Sequence, residues 1–398
     1  MDVFVARQPI FTKKKKLFAY ELLFREGMNN AFPDLDGDTA TSSLLSQSFF
    51  SSGIEKITAD KVSFINFTEP LILQGTPSMF PHEKIMVEIL ENVTPTVEVI
   101  DACRELKKKN YTLALDDFEY SDQFKPLLEL ADIVKIDFRL TPPEEIKKTV
   151  ELLKNYRCRL LAEKIETYDE FEKAAEMGFK YFQGYFFSKP EILKNRDIPP
   201  GKLTVLNLIN EINRKGFNIE SLERTIETDV AVTYKLLKYL NSAYFSRLSP
   251  VKSVRQAIAY LGETGTKMFV TLIAASKLAD DKPQELVRMS IVRARFLEQL
   301  GIDSGASRGE LFMLGLFSLI DAMLDNPMDY LVKQLPLSDT VADALIHGSG
   351  PLAPYLKVVQ AIEKADWKGF EEEAKSIKVE ESKIHDMYLD SISFANNY

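Results

Sequence analysis

The sequence predicts two domains of different class, a TIM-like (β/α)8 barrel (α/β) followed by an all-α domain. Three observations carry this expectation. Seven short apolar runs in the first half have strand length: Phe18–Phe24, Val62–Phe67, Ile85–Leu90, Tyr111–Asp117, Asp132–Asp137, Arg159–Lys164 and Tyr181–Phe187. Helix-patterned segments follow most of them, and strand–helix alternation predicts a parallel sheet with helical crossovers. Beyond Arg196-Asp197-Ile198-Pro199-Pro200-Gly201, a linker-like stretch, strand patterning almost vanishes and helical periodicity dominates. With 398 residues the chain has length for two domains, placed at 1–198 and 199–398.

The helices are readable in turn. Val97 to Lys108 carries apolar Val97, Ile100, Cys103 and Leu106, with lysines at its C-terminal end where the helix dipole favours cations. Pro142 and Pro143 open a helix over Glu144 to Asn155. Thr167 caps Tyr168 to Met177, which stops at Gly178. In the second half the pattern predicts helices over 203–213, 221–228, 230–241, 254–261, 264–278, 285–300 and 307–325, with more to the end.

Composition narrows the function classes. Hydrophobic residues make up 45% and charged residues 27%, the balance of a globular protein. A formal net charge of −9 argues against nucleic-acid binding by bulk charge. Two cysteines, Cys103 and Cys158, give no disulfide framework and fit a reducing cytoplasm. No apolar stretch reaches membrane-span length, and the N-terminus lacks the apolar core of a signal peptide.

Polar residues recur at or near the ends of the strand-like runs: Glu21, Asn66, Glu88, Asp116 with Asp117, Lys135 with Asp137, Glu163 and Gln183. In parallel barrels the site forms at the C-terminal ends of the strands. Glu21, Asn66, Glu88, Asp116 and Asp117 are hard oxygen donors that suit Mg²⁺ or Mn²⁺, and three histidines in the whole chain make a zinc site unsuitable. Two such cations can activate water and stabilise the leaving oxygen of a phosphodiester. Lys135 could orient that water or assist its deprotonation, and Glu163 could hold a metal or accept the proton.

These motifs as a set resemble the EAL domain, the cyclic di-GMP phosphodiesterase family. The resemblance rests on Gln8-Pro9-Ile10, Glu21-Leu22-Leu23-Phe24-Arg25, Phe64-Ile65-Asn66-Phe67-Thr68, Glu88-Ile89-Leu90-Glu91, Asp116-Asp117-Phe118, Lys135-Ile136-Asp137, Ala162-Glu163-Lys164-Ile165-Glu166-Thr167 and Gln183 to Pro190. It implies that Glu21, Asn66, Glu88, Asp116, Asp117 and Glu163 hold two metal ions and that Lys135 holds the nucleophilic water. It further implies that Gln8 and Arg25 contact the dinucleotide and that Glu91, Asp137, Glu166 and Gln183 support the site. The implied reaction is hydrolysis of cyclic di-GMP to linear pGpG.

The chain departs from the family pattern twice. Glu119-Tyr120-Ser121-Asp122 replaces a glycine-rich loop, on a path to Lys135 about two residues shorter. Lys164 stands where glycine is usual, and its cation either competes with a metal beside Glu163 or points to solvent.

The second half resembles HDOD, the non-catalytic relative of HD phosphohydrolases. The matching residues include Asp229–Val232, Lys235-Leu236-Leu237, Asn241-Ser242-Ala243, Ser253–Ile258 with Leu261-Gly262, Glu285-Leu286, Arg293–Phe296, Leu311–Ser318 and Trp367. His347 and the His385-Asp386 dipeptide cannot build a di-metal HD site. The order implies a bacterial two-domain signalling protein whose helical domain regulates the barrel or binds an unidentified protein partner. The family's barrels also pair, which makes a homodimer an expectation. The alternative reading is a catalytically degenerate barrel that serves as a cyclic di-GMP sensor or interaction scaffold.

Overall fold

The computed structural model describes residues 5–24, 55–190, 198–214 and 253–397, together with 220, 223, 226, 236, 237, 240 and 251. Packing divides the chain into two units, one running up to Phe187 and including Ile362–Trp367, the other Ser188–Ala361 with the residues from Lys368 onward.

The first unit is a closed barrel with strands in sequence order: β1 Val5–Thr12, β2 Leu17–Phe24, β3 Val62–Phe67, β4 Ile85–Ile89, β5 Thr112–Leu115, β6 Ile133–Asp137, β7 Arg159–Glu163 and β8 Tyr181–Gln183. The seven expected runs supply β2 to β8, paired in parallel from β2 onward. The eighth strand, β1, was not among them and runs antiparallel to both β2 and β8. Arg7, Gln8 and Pro9 interrupt its apolar pattern, and a proline normally disfavours a strand interior. The turn before β2 closes through Thr12 and Lys16, with Lys15 at φ 56°.

The crossover helices follow from local chemistry. Val97–Lys108 starts at Thr96, whose hydroxyl accepts from Val99 N at 3.3 Å, and buries Val99, Ile100, Cys103 and Leu106. Pro143–Leu153 has proline in its first turn and buries Ile146, Val150 and Leu153. Tyr168–Met177 carries a full capping box between Thr167 and Glu170 and ends at Gly178, φ 103°.

The barrel interior is layered because side chains alternate along each strand. Ile10, Ala19, Phe64, Ala114, Ile133, Leu161 and Tyr181 form one apolar cluster, with Met86 packed against it. Each is two positions from a polar residue: Gln8, Glu21, Asn66, Asp116, Lys135, Glu163, Gln183 and, beside Met86, Glu88. The apolar layer is therefore the floor on which the polar layer stands. Gln8 precedes its floor residue rather than following it because β1 runs the other way.

The second unit is helical throughout its described residues. Pro200–Asn213 begins at the expected linker, of which Arg196 and Asp197 lie outside the described residues. The patterns expected over 254–261 and 264–278 join into Val254–Leu278, broken at Gly262 by φ 70° and ψ 177°. That expected over 307–325 divides into Arg308–Phe317 and Ile320–Leu324. Gln284–Ser304 lies so close to Arg308–Phe317 that a Cβ on Gly315 would fall 2.5 Å from Arg293 backbone atoms. Ile212, Ile226, Leu236, Leu240, Val254, Ile258, Phe269 and Ile273 share one core. The expected helices over 221–228 and 230–241, and the motif residues Asp229–Val232, Lys235 and Asn241–Ala243, fall wholly or largely outside the described residues.

Candidate active site

The polar layer converges on Lys135. Its side chain is 1% exposed, and its Nζ lies 2.8 Å from Asp116 Oδ1, 2.8 Å from Glu163 Oε1 and 3.3 Å from Glu21 Oε2, with a shorter contact to Glu88 Oε1. Strand register sets this meeting. Asn66 pairs with Glu88 across β3 and β4, Asp137 with Glu163 across β6 and β7, and Gln8 with Glu21 across β1 and β2.

Amides orient Glu21. Asn66 Nδ2 donates to Glu21 Oε1 at 3.2 Å, and Gln183 Nε2 donates to Glu21 Oε2 at 2.6 Å and Gln8 Oε1 at 2.9 Å. Asp116 and Asp117 follow β5 directly. Asp116 N donates to Ile89 O, Phe118 N donates to Lys135 O, and Asp117 takes φ 37°. The segment lacking the family's glycines runs from there into the short 3-10 turn Asp122–Phe124, with Phe118 against Phe124. The two aspartates reach the site despite the shorter path.

Electrostatics follow from burial and crowding. Burial alone would lower Lys135, but the four carboxylates hold it well above the ordinary lysine range, so it stays charged. Burial raises Glu88 and Glu163 well above the carboxylate range against the pull of Lys135, and raises Asp117 as well. Asp116 is also pushed up by burial, yet Lys135 and its hydrogen bonds leave it lowered. Fully ionised, Glu21, Glu88, Asp116, Asp117 and Glu163 together with charged Lys135 carry a net four negative charges, which two divalent cations would balance.

The donor set fits such cations. Asn66 Oδ1, Glu88 Oε2, Asp117 Oδ1 and Glu163 Oε2 are buried oxygens with no hydrogen-bond partner. Oxygens of Asp116, Asp117 and Glu163 lie within 4.8 Å of one another. All are hard ligands of the kind Mg²⁺, Mn²⁺ and Ca²⁺ take.

A cavity of about 460 Å³ opens over this layer, in the usual range for a small-molecule site. Gln8, Glu21, Asn66, Asp116, Asp117, Glu163, Glu166 and Gln183 line it, and Glu91 is exposed at its edge. Glu88, Lys135 and Asp137 are buried beneath. Asp137 Oδ1 accepts from Arg139 N at 2.6 Å and Leu140 N at 2.9 Å, and so shapes the loop after β6. Arg25 lies outside the described residues. The lining residues given no site role from the sequence include Arg139, which pairs with Glu166 at 2.7 Å, Tyr185 and Lys364. Arg139 stands two positions past the strand-end Asp137, and a cation there is the one sequence signal that could have marked it.

The EAL domain family matches residues 57–190 and the HDOD domain family residues 198–324. The cyclic di-GMP phosphodiesterase CdgJ of Vibrio cholerae is 40% identical over 374 residues, 93% of this chain and 87% of that protein. The uncharacterized protein YuxH of Bacillus subtilis is 38% identical over 410 residues, 100% of this chain and 99% of that one. A Bacillus subtilis EAL-domain protein, YkuI, solved with cyclic di-GMP and calcium, aligns with 21% identity and a TM-score of 0.36 over 66% of this chain and 71% of that one. The chain belongs to the family of proteins in which an EAL barrel is followed by an HDOD domain.

Proposed function

We infer that this protein is a metal-dependent cyclic di-GMP phosphodiesterase, its barrel opening the cyclic dinucleotide to linear pGpG. The observation that carries this reading is the ring of carboxylates around buried Lys135, with buried oxygens of Asn66, Glu88, Asp117 and Glu163 that have no hydrogen-bond partner. That all ligand positions are retained, together with the relation to CdgJ, weighs against the degenerate alternative.

We assign two ions, Mg²⁺ or Mn²⁺. Asp116, Asp117 and Glu163 would hold one, and Glu21, Asn66 and Glu88 the other. When bound, the ions acidify the attacking water and neutralise charge on the phosphodiester. Lys135, fixed in its charged form, donates a hydrogen bond to that water and orients it. The free Oε2 of Glu163 binds an ion or takes the water's proton. The water oxygen bonds to phosphorus, the P–O3′ bond breaks, and the 3′ oxygen leaves with that bond's electron pair and takes a proton from solvent to become the 3′ hydroxyl, while the attacking water's proton passes to Glu163. Gln183 and Asn66 hold Glu21 in register, Glu91, Asp137 and Glu166 support the surrounding loops, and Gln8 with Arg25 contacts the dinucleotide.

We further assign residues 1–198 to the catalytic domain and 199–398 to an HDOD domain that regulates it or binds a protein partner, with pairing into a homodimer. No helix of the described residues is long and apolar enough to cross a membrane. Two free cysteines, one buried and one half-buried, fit a cytoplasmic setting.

The test is hydrolysis by the purified full chain with Mg²⁺ or Mn²⁺, with Glu21→Ala as control. The wild type should release pGpG, and the variant, which loses a carboxylate assigned to hold an ion, should be at least about 100-fold slower. Equal rates would remove Glu21 from the site, and binding without hydrolysis by the wild type would make the barrel a sensor.

A further inference from the structure

Lys164 carries an observation that the proposed reaction does not use. It directly follows Glu163, the last residue of β7, and takes φ 55°, a conformation that L side chains adopt at a cost and that glycine adopts freely. Its ammonium does not project away into solvent. It contacts Asp137 Oδ2 closely and lies 3.5 Å from Asp117 Oδ2, with the side chain 49% exposed. Asp117 is thus shared. One oxygen faces the tethered ammonium, while the other is buried and has no hydrogen-bond partner. Asp117 also forms, with Asp116 and Glu163, a group in which one carboxylate oxygen from each lies within 4.8 Å of the others.

We propose that Lys164 is a built-in competitor for the cation held by Asp116, Asp117 and Glu163, making this position the weaker of the two and its filling the step that responds to divalent-ion concentration. The proposal rests on the two-ion reading above. A fixed positive charge a few ångströms from a divalent cation repels it, and it also neutralises part of the ligand charge that would attract it. With the side chain half in water the effect is moderated but remains on the order of tenfold or more in affinity. Asp137 keeps the ammonium near Asp117, because its other oxygen is fixed by two backbone N–H groups. Among the described residues, the cation against Glu21 and Glu88 is Lys135, which belongs to the site in every state.

The test is Mn²⁺ binding to the full chain, read by electron paramagnetic resonance of free Mn²⁺ and by calorimetry, so that no turnover is involved. Wild type should show one tighter and one weaker ion. Lys164→Met, which removes the charge and keeps the chain length, should tighten the weaker ion by about tenfold or more. Lys164→Arg should bind as wild type does. Lys164→Gly, whose backbone suits the positive φ, is the second variant and should match Lys164→Met if the methionine variant folds poorly. Two ions bound with the same affinities by wild type and both charge-removing variants would overturn the proposal while leaving the two-ion reading intact. No bound Mn²⁺ in any of the four proteins would overturn both.

Discussion

Replacing Lys135 by methionine should abolish hydrolysis and destabilise the metal-free barrel together. The expected loss of rate is about 10³-fold or more, since a positioned, charged donor leaves the reacting water. The stability effect has a separate origin. Lys135 Nζ sits among Glu21, Glu88, Asp116 and Glu163, all buried or nearly so. Removing one member of a buried ion cluster leaves the others uncompensated and costs about 3–5 kcal/mol. Protons taken up by Glu88 and Glu163, already raised by burial, absorb part of that. Divalent cations supply the missing charge, so the variant should gain more melting temperature from Mn²⁺ than the wild type does. Thermal unfolding with chelator and with Mn²⁺, beside single-turnover hydrolysis, reads both effects. A variant within tenfold of wild-type rate would remove Lys135 from the chemistry. A metal-dependent shift no larger than wild type would show that the ions bind away from this cluster.

The barrel and most of its site were legible because period-two alternation is rigid. Once Phe64, Ile133 or Leu161 faces the interior, Asn66, Lys135 and Glu163 must face it one step higher. A polar residue in that place, repeated strand after strand, has no solvent to account for it. The signal failed where a different constraint took over. β1 hides behind Pro9 and the lysine-rich turn, and its antiparallel run reverses the order of Gln8 and Ile10. The destination of Lys164 could not be read from its neighbours, because the acceptors Asp117 and Asp137 come from other strands. In the helical domain, packing residues and binding residues share one apolar pattern. The break at Gly262 is a backbone event between two helical runs, and their joining into one bent element depends on packing.

The second large effect concerns the backbone that closes the barrel. Gly184 and Gly178 both have positive φ, at 140° and 103°, yet alanine should act very differently at the two. A Cβ on Gly178 meets nothing within 4 Å. Gly178→Ala should therefore cost only the conformational penalty, about 1 kcal/mol. A Cβ on Gly184 would lie 2.1 Å from Ile165 O and 2.4 Å from Ile165 N. No rotamer relieves a clash with backbone, so strain and overpacking add, to at least about 3 kcal/mol. The contact lies where Ile165 N donates to Gln183 O at 3.0 Å and Phe186 N donates to Ile165 O at 3.1 Å. Relief by moving β8 away would draw the Gln183 amide from Glu21 and weaken the ligand shell along with the fold. Gly184→Ala should thus lower the melting temperature of the barrel several times more than Gly178→Ala and should also weaken Mn²⁺ binding in the molecules that remain folded. Equal melting temperatures for the two variants would mean that the turn after β8 does not pass so close to Ile165, and the anchoring of Glu21 through Gln183 would fail with it.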